Sequence, residues 1–371
     1  MGQSLTFAER ATRYAERVVA GEQVACQYVR EACQRHLDDL KIQDTDSFPY
    51  AWNPLMEDSH GKQYYPIERV CQFIELLPHV KGKWSRQKLK LKLEDWQIFI
   101  VASIFGWIDE EGLRRYKTAY IEVPRKNAKT TIASAIGLYL LALDDEDGAE
   151  VYSAATTSEQ ASISWNIAKQ MVIKSPQFQM RYGVRTYSHA IIKENNASTF
   201  KYLSSDSKTL DGLNISGGIV DELHAHKTRE VYDVVETGTG SREQPVLFLI
   251  TTAGSNRSGI CYEQRAYTLK LLNRVVRDET YFGIVFTLDE GDDWTNPAVW
   301  EKANPNYGIS VKPEDIQRKA TKAMTMTSAQ NNFLTKHLNV WVNADSAWMN
   351  MVNWNNCAKK KLIRDMFLSL I

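Results

Sequence analysis

Between about residues 85 and 275, short apolar runs alternate with helix-period segments, and this alternation restricts the fold more than any other feature. "AYIEV" (119–123) reads as a strand and "KTTIASAIGLYLLAL" (129–143) as a helix with buried faces. "EVYSAAT" (150–156) follows as a strand, then "SEQASISWNIAKQMVI" as a helix that starts at a Ser N-cap with Glu159 and Gln160 close behind. Further strands are expected at "GGIVDE" (217–222) and "PVLFLITTAG" (245–254), with the helical stretch "REVYDVVETG" between them. Strands that alternate with helices argue for an α/β fold, a parallel sheet covered on both faces.

The flanks differ. Near the N-terminus, Val24, Tyr28, Val29, Ala32, Cys33, His36, Leu37 and Leu40 share one helical face, and Gly21 separates this helix from an earlier one ending at Val18-Val19. Cys33 and His36 have the spacing of half a metal site, but no second pair accompanies them, so a core-facing stripe is the expectation. Residues 42–66 are polar with three prolines and read as linker. After about 276 the texture turns Trp- and Asn-rich, with one clear helix near 313–338. At 371 residues the chain has room for two or three domains. Its 45 basic and 45 acidic side chains balance, so a nucleic-acid partner would need a local patch. The five cysteines (Cys26, Cys33, Cys71, Cys261, Cys357) are scattered, which suits free thiols in a reducing compartment. No secretory leader is expected, and the longest apolar run, Trp96 to Trp107, is too short to span a bilayer.

The chemistry begins at "YIEVPRKNAKTTIA" (120–133). A strand runs into a loop, then a Lys129-Thr130 pair, then a helix, which is the order of a phosphate-binding loop: a lysine for charge, a hydroxyl for Mg²⁺ and a helix N-terminus for the anion. The two glycines of the usual pattern are replaced by Val123 and Ala128. Because glycine permits the positive φ such loops use, a plain helix start remains the competing reading. "ISGGIVDELHAH" ends a second strand in Asp221-Glu222. An Asp at a strand end can reach Mg²⁺, and an adjacent Glu can polarise the attacking water; an acidic helix cap is the alternative. A third strand ends in Thr251-Thr252-Ala253-Gly254, where hydroxyls can sense a terminal phosphate.

These segments, together with "GEQVACQYVREACQRHLDDL", "LEDWQIFIVASIFGW", "EVYSAATTSEQA", "GTGSREQPVLFLITTAG" and "WEKANPNYGISV", resemble the large terminase subunit of tailed double-stranded DNA bacteriophages. The resemblance implies an ASCE-type, RecA-like P-loop ATPase preceded by an N-terminal helical region (1–75) and followed by a linker or lid subdomain. The ATPase domain is expected over 76–275, the linker over 276–345, and a truncated entry to a missing nuclease domain over 346–371. It implies ATP and Mg²⁺ as cofactors and a loop in which Arg125-Lys126-Asn127 replaces the glycine-rich stretch. Arg125, Lys126, Asn127, Ala128, Lys129, Thr130 and Thr131 would hold the nucleotide, with Gln97 at the adenine edge and Trp96 packed nearby. Asp221 and Thr130 would face the metal, Glu222 would be the catalytic carboxylate, and Thr251 and Thr252 the coupling motif. Arg242 is the candidate finger reaching a neighbouring subunit, although a surface Arg fits the sequence as well.

The implied partners are double-stranded DNA held by its backbone, the portal, the small terminase subunit and further copies in a ring, in the cytoplasm of a bacterial host and away from membranes. The chain ends soon after "KHLNVWVNADSAWMNMVNW", which implies a motor lacking the family's nuclease. The acidic run Asp289, Glu290, Asp292 and Asp293 reads as a solvated loop rather than a two-metal site. "KGKWSRQKLKLKL" (81–93) is the one basic patch suited to phosphates, though its alternating Lys and Leu also fit an edge strand. A helicase-like remodeller sharing this nucleotide site and an inactive prophage remnant are the alternatives.

Overall fold

One eight-stranded sheet organises the molecule. The structure, a computed structural model, describes residues 4–204 and 212–343; the expected nuclease entry at 346–371 and Cys357 lie outside them. The strands are β1 (Thr118–Glu122), β2 (Glu150–Ala155), β3 (Val184–Thr186), β4 (Ile191–Lys193), β5 (Ser198–Ser204), β6 (Ile215–Asp221), β7 (Val246–Thr251) and β8 (Tyr281–Val285). Their spatial order is β8-β1-β7-β6-β2-β5-β4-β3. The first six in that order run parallel, and only β4 and β3 join antiparallel. β1, β2, β6, β7 and β8 are buried nearly end to end, as a sheet covered on both faces requires.

Register decides where chemistry can occur. Glu122 of β1 pairs with Thr251 of β7, and Ile250 of β7 pairs with Asp221 of β6. The carboxyl ends of these three central strands are therefore level, and in open α/β sheets that edge is where ligands bind. β7 lies between the strand feeding the loop and the strand ending in Asp221. The helices that follow β1 and β2, α1 (Lys129–Ala142) and α2 (Ser158–Ile173), start at the same edge.

The N-terminal helices Phe7–Val19 and Gln27–Ile42 share one hydrophobic cluster with the helix Asp95–Gly106, α1 and the inner sheet residues. His36 sits inside it, edge-on to the rings of Trp52 (4.4 Å) and Trp107 (5.7 Å), a core position as its helical stripe implies. The polar stretch after it is less irregular than its prolines suggest. Tyr50–Trp52 pairs antiparallel with Trp107–Asp109, and Met56–Glu57 pairs with Gln63–Tyr64. Beyond β8, helices Trp300–Ala303, Pro313–Thr325 and Thr327–His337 enclose a separate small core around Trp300, Ile316 and Phe333. The helix expected near 313–338 is thus broken at Met326. No described helix is long and apolar enough to cross a membrane.

Candidate functional site

The loop after β1 takes the backbone shape that its missing glycines seemed to forbid. Lys126 (φ 73°) and Ala128 (φ 58°, ψ 22°) both lie in the left-handed region. A non-glycine residue there costs roughly 1–2 kcal/mol, so the surroundings must hold the loop. Much of that hold comes from Asn127, which is fully buried. Its Nδ2 donates to Pro124 O (3.2 Å) and Asn304 Oδ1 (3.2 Å), and its Oδ1 accepts from Asn306 N–H (3.1 Å). Asn127 is thus turned into the protein and clamps the loop to the segment after β8, while Arg125 and Lys126 are exposed.

Lys129 opens α1 and is buried, its Nζ donating to Val123 O (3.2 Å) and Pro124 O (3.3 Å). Burial pulls its pKa down against the opposing charges of Glu222 and Asp221. Asp221 Oδ2 accepts a hydrogen bond from the Ser164 hydroxyl at 3.1 Å, the Thr130 hydroxyl lies close enough to favour its ionised form, and its buried Oδ1 has no partner. Burial, and then the neighbouring Glu222, raise the Asp221 pKa to about 6. An acceptor oxygen left without a donor beside a threonine hydroxyl is a donor set that fits a hard divalent cation. Ser164, on α2, was not singled out in the sequence, where it reads as one more small residue on a helix.

Glu222 sits at φ 56°, ψ 44°, a strained position that directs its carboxylate off the strand end. Burial alone would raise its pKa, but the His224 hydrogen bond and the nearby Lys129 and Lys336 charges outweigh burial and hold it at about 2. His224 Nδ1 lies 3.2 Å from Glu222 Oε2, 3.2 Å from Thr251 Oγ1 and 3.3 Å from Thr252 Oγ1. Its Nε2 is 2.8 Å from Lys336 Nζ. An ammonium can only donate, so Nε2 accepts and the ring proton resides on Nδ1. Burial, with Lys336 adding to it, lowers the His224 pKa despite the Glu222 contact, so at neutral pH the ring is uncharged. Thr252 Oγ1 also donates to Glu222 Oε2 at 3.5 Å, which joins the end of β7 to the carboxylate.

A cavity of about 470 Å³ adjoins the loop, lined by Gln97, Lys126, Ala128, Thr131, Trp84 and Lys92 among others. A slightly larger one, about 540 Å³, lies around Tyr64 and Arg181, away from these groups. Proximity to the loop makes the first the nucleotide candidate. Gln97 lines it, but its Oε1 is engaged by Glu94 N–H (3.0 Å) as a helix cap. Trp96 points elsewhere, its Nε1 donating to Asn306 Oδ1 (2.8 Å). Lysines of the basic patch also border this cavity; Leu91 and Leu93 are buried while Lys90 and Lys92 are exposed, with only an isolated bridge from Lys90 to Pro78.

Arg242 is not brought to the site. Its guanidinium donates to Gly148 O (2.8 Å), Asp147 O (3.2 Å), Glu146 Oε2 (3.1 Å) and Asn214 O (3.3 Å). Asn214 precedes the first residue of β6, whereas Asp221 is its last. Seven strand residues span roughly 20 Å, so Arg242 clamps the opposite edge of the sheet. In the acidic run, Asp289 and Asp292 both pair with Lys302 at 2.9 Å, and Asp289 Oδ1 also accepts from Gln27 N–H.

Comparison with known proteins matches the ATPase domain of the terminase large subunit over residues 95–270 and the endonuclease domain of the same subunit over 275–365. Over both segments the chain is similar to the terminase large subunit. It is 26% identical over 296 residues to the large terminase subunit of Enterobacteria phage HK97, covering 79% of this chain and 56% of that one. The crystal structure of the HK97 large terminase superposes with a TM-score of 0.64 at 25% identity, covering 79% of this chain and 59% of that chain. Protein YmfN of Escherichia coli K12 is 45% identical over 157 residues, 42% of this chain and 34% of that protein. The chain therefore spans between 34% and 56% of the length of these two curated relatives. The endonuclease match corrects the expectation that the chain stops before that domain. Its first residues coincide with β8, which pairs with β1 in the ATPase sheet.

Proposed function

We propose that the chain is the ATP-hydrolysing motor part of a terminase, coupling turnover to movement of double-stranded DNA. The observation that carries this reading is the convergence of Lys129, Thr130, Asp221 and Glu222 at one sheet edge, with Asp221 Oδ1 buried and unpartnered. Lys129 supplies the charge for the β- and γ-phosphates. Asp221 and Thr130 would hold Mg²⁺, which when bound offsets negative charge on the phosphates. Glu222, ionised across the neutral range, orients and polarises the attacking water. Thr251 and Thr252, beside Glu222, sense the loss of the terminal phosphate. Gln97, Thr131 and the cavity walls take the adenosine end, and exposed Arg125 reaches toward the phosphates.

DNA would be held through its backbone rather than by sequence. A portal, a small terminase subunit and further copies of this chain in a ring would complete the machine in the host cytoplasm. Binding of a fluorescent ATP analogue with Mg²⁺ tests the core of the proposal. The wild-type chain should bind and Lys129→Ala should not; equal binding by both would remove the loop from the site.

A further inference from the structure

One residue of the linker subdomain touches both halves of the nucleotide site. Lys336, one residue from the end of helix Thr327–His337, accepts the Arg125 N–H through its backbone oxygen at 3.0 Å. Its Nζ lies 2.8 Å from His224 Nε2. The same histidine reaches Glu222 Oε2 through Nδ1 at 3.2 Å. Lys336 thus stands at once on the phosphate loop and, through one imidazole, on the carboxylate facing the water.

The imidazole could offer either nitrogen to Glu222, and only the Nδ1–H tautomer donates. Around Nδ1 the Glu222 carboxylate can only accept, while the Thr251 hydroxyl donates to Thr252 O (3.0 Å) and the Thr252 hydroxyl toward Glu222 Oε2 (3.5 Å), so the histidine serves the carboxylate only when Nδ1 carries the proton. The ammonium at Nε2 holds the proton on Nδ1, because Nε2 must then accept. We propose that Lys336 is a positioning residue for hydrolysis: it fixes His224 as the Nδ1–H tautomer, which aims Glu222, so the carboxylate is correctly set only while the linker helix is seated on the phosphate loop. This rests on Glu222 being the water-polarising group. It adds that the linker subdomain is part of the hydrolytic machinery, since displacing its last helix removes the Arg125 contact and the ammonium together. A linker displaced by DNA or by a neighbouring subunit would then slow turnover without emptying the nucleotide site.

The test is steady-state ATP turnover and nucleotide binding by the full chain as Lys336→Met, Lys336→Gln, His224→Gln and the double variant Lys336→Met/His224→Gln. Glu222→Gln is run beside them. Both Lys336 variants should lose kcat by roughly 10- to 100-fold, the range seen when an orienting partner of a site residue is removed. Nucleotide affinity and KM should hold within about twofold, because the backbone contact to Arg125 is kept. Glutamine at 224 is a donor with no tautomer to fix, so adding Lys336→Met to His224→Gln should cost little more. Wild-type kcat in both Lys336 variants, or an equal loss in the His224→Gln background, overturns the inference. Retained nucleotide affinity shows that the variants are folded. Full turnover by Glu222→Gln would fail the site assignment itself, whereas an inactive Glu222→Gln beside unaffected Lys336 variants fails this inference alone.

Discussion

Asn127 on the loop after β1 and Asn304, 177 residues further along the chain, share a buried side-chain hydrogen bond of 3.2 Å. With Asn306 N–H donating to Asn127 Oδ1, one carboxamide fastens the loop after β1 to the segment that carries a separate small core. Asn127→Ala leaves a buried amide N–H and a side-chain oxygen unpaired, at about 1–3 kcal/mol each. The expected outcome is a lower urea midpoint together with weaker nucleotide binding, since the loop loses its brace. An unchanged midpoint would mean that the loop keeps its shape without Asn127.

Ala128 makes an opposite prediction. At φ 58° it carries a left-handed penalty of roughly 1–2 kcal/mol that glycine lacks. The extra freedom of glycine in the unfolded chain returns roughly 0.5–1 kcal/mol. Ala128→Gly should therefore be neutral or stabilising by up to about 1.5 kcal/mol, whereas Ala135→Gly, buried in the middle of α1, should destabilise. Equal losses at both positions, read by urea denaturation, would contradict the loop geometry.

Arg242 should matter for stability and not in trans. Its ion pair with Glu146 is nearly buried on both sides, at 12% and 13% side-chain exposure. Removing one partner of such a pair costs about 3–5 kcal/mol. Arg242→Ala should lower the melting temperature, and mixing it with Lys129→Ala protein should restore no ATPase activity. Recovery on mixing would return Arg242 to the role of a finger.

The pH profile of stability should show His36. Burial, and then the nearby Arg115 charge, hold its pKa at about 3, well below the ordinary 6.5. The unfolded chain therefore binds the proton first, so this contribution is intact above about pH 6.5 and is lost as pH falls toward 3. The slope is about 1.4 kcal/mol per pH unit, or about 2 kcal/mol by pH 5. His36→Leu should flatten that part of the profile; an identical slope in the variant would place the titration elsewhere.

What was legible in the sequence were features carried by contiguous residues. The strand–loop–Lys129-Thr130–helix unit, the strand ending in Asp221-Glu222 and the strand ending in Thr251-Thr252 each announce themselves by local pattern, and the sheet register brings them level. Asn127 was found but its direction was not, because its partners Asn304 and Asn306 are remote in the chain. Ser164, His224 and Lys336 were missed for the same reason: each looks ordinary on its own helix or turn and acquires a role only through a contact. Arg242 shows the converse, since proximity in sequence to β7 gave no hint that it lies at the start of β6. The endonuclease match over 275–365 was also not seen, its short apolar strand at 281–285 being read as the start of a linker.

The central claim is that Glu222 activates water at a nucleotide site built by Lys129, Thr130 and Asp221. Single-turnover hydrolysis of radiolabelled ATP by wild type and Glu222→Gln, at saturating Mg-ATP and with nucleotide binding measured on the same samples, tests it most directly. The account predicts equal binding and a loss of hydrolysis of roughly 10²-fold or more in the variant. Hydrolysis by Glu222→Gln at the wild-type rate would contradict it.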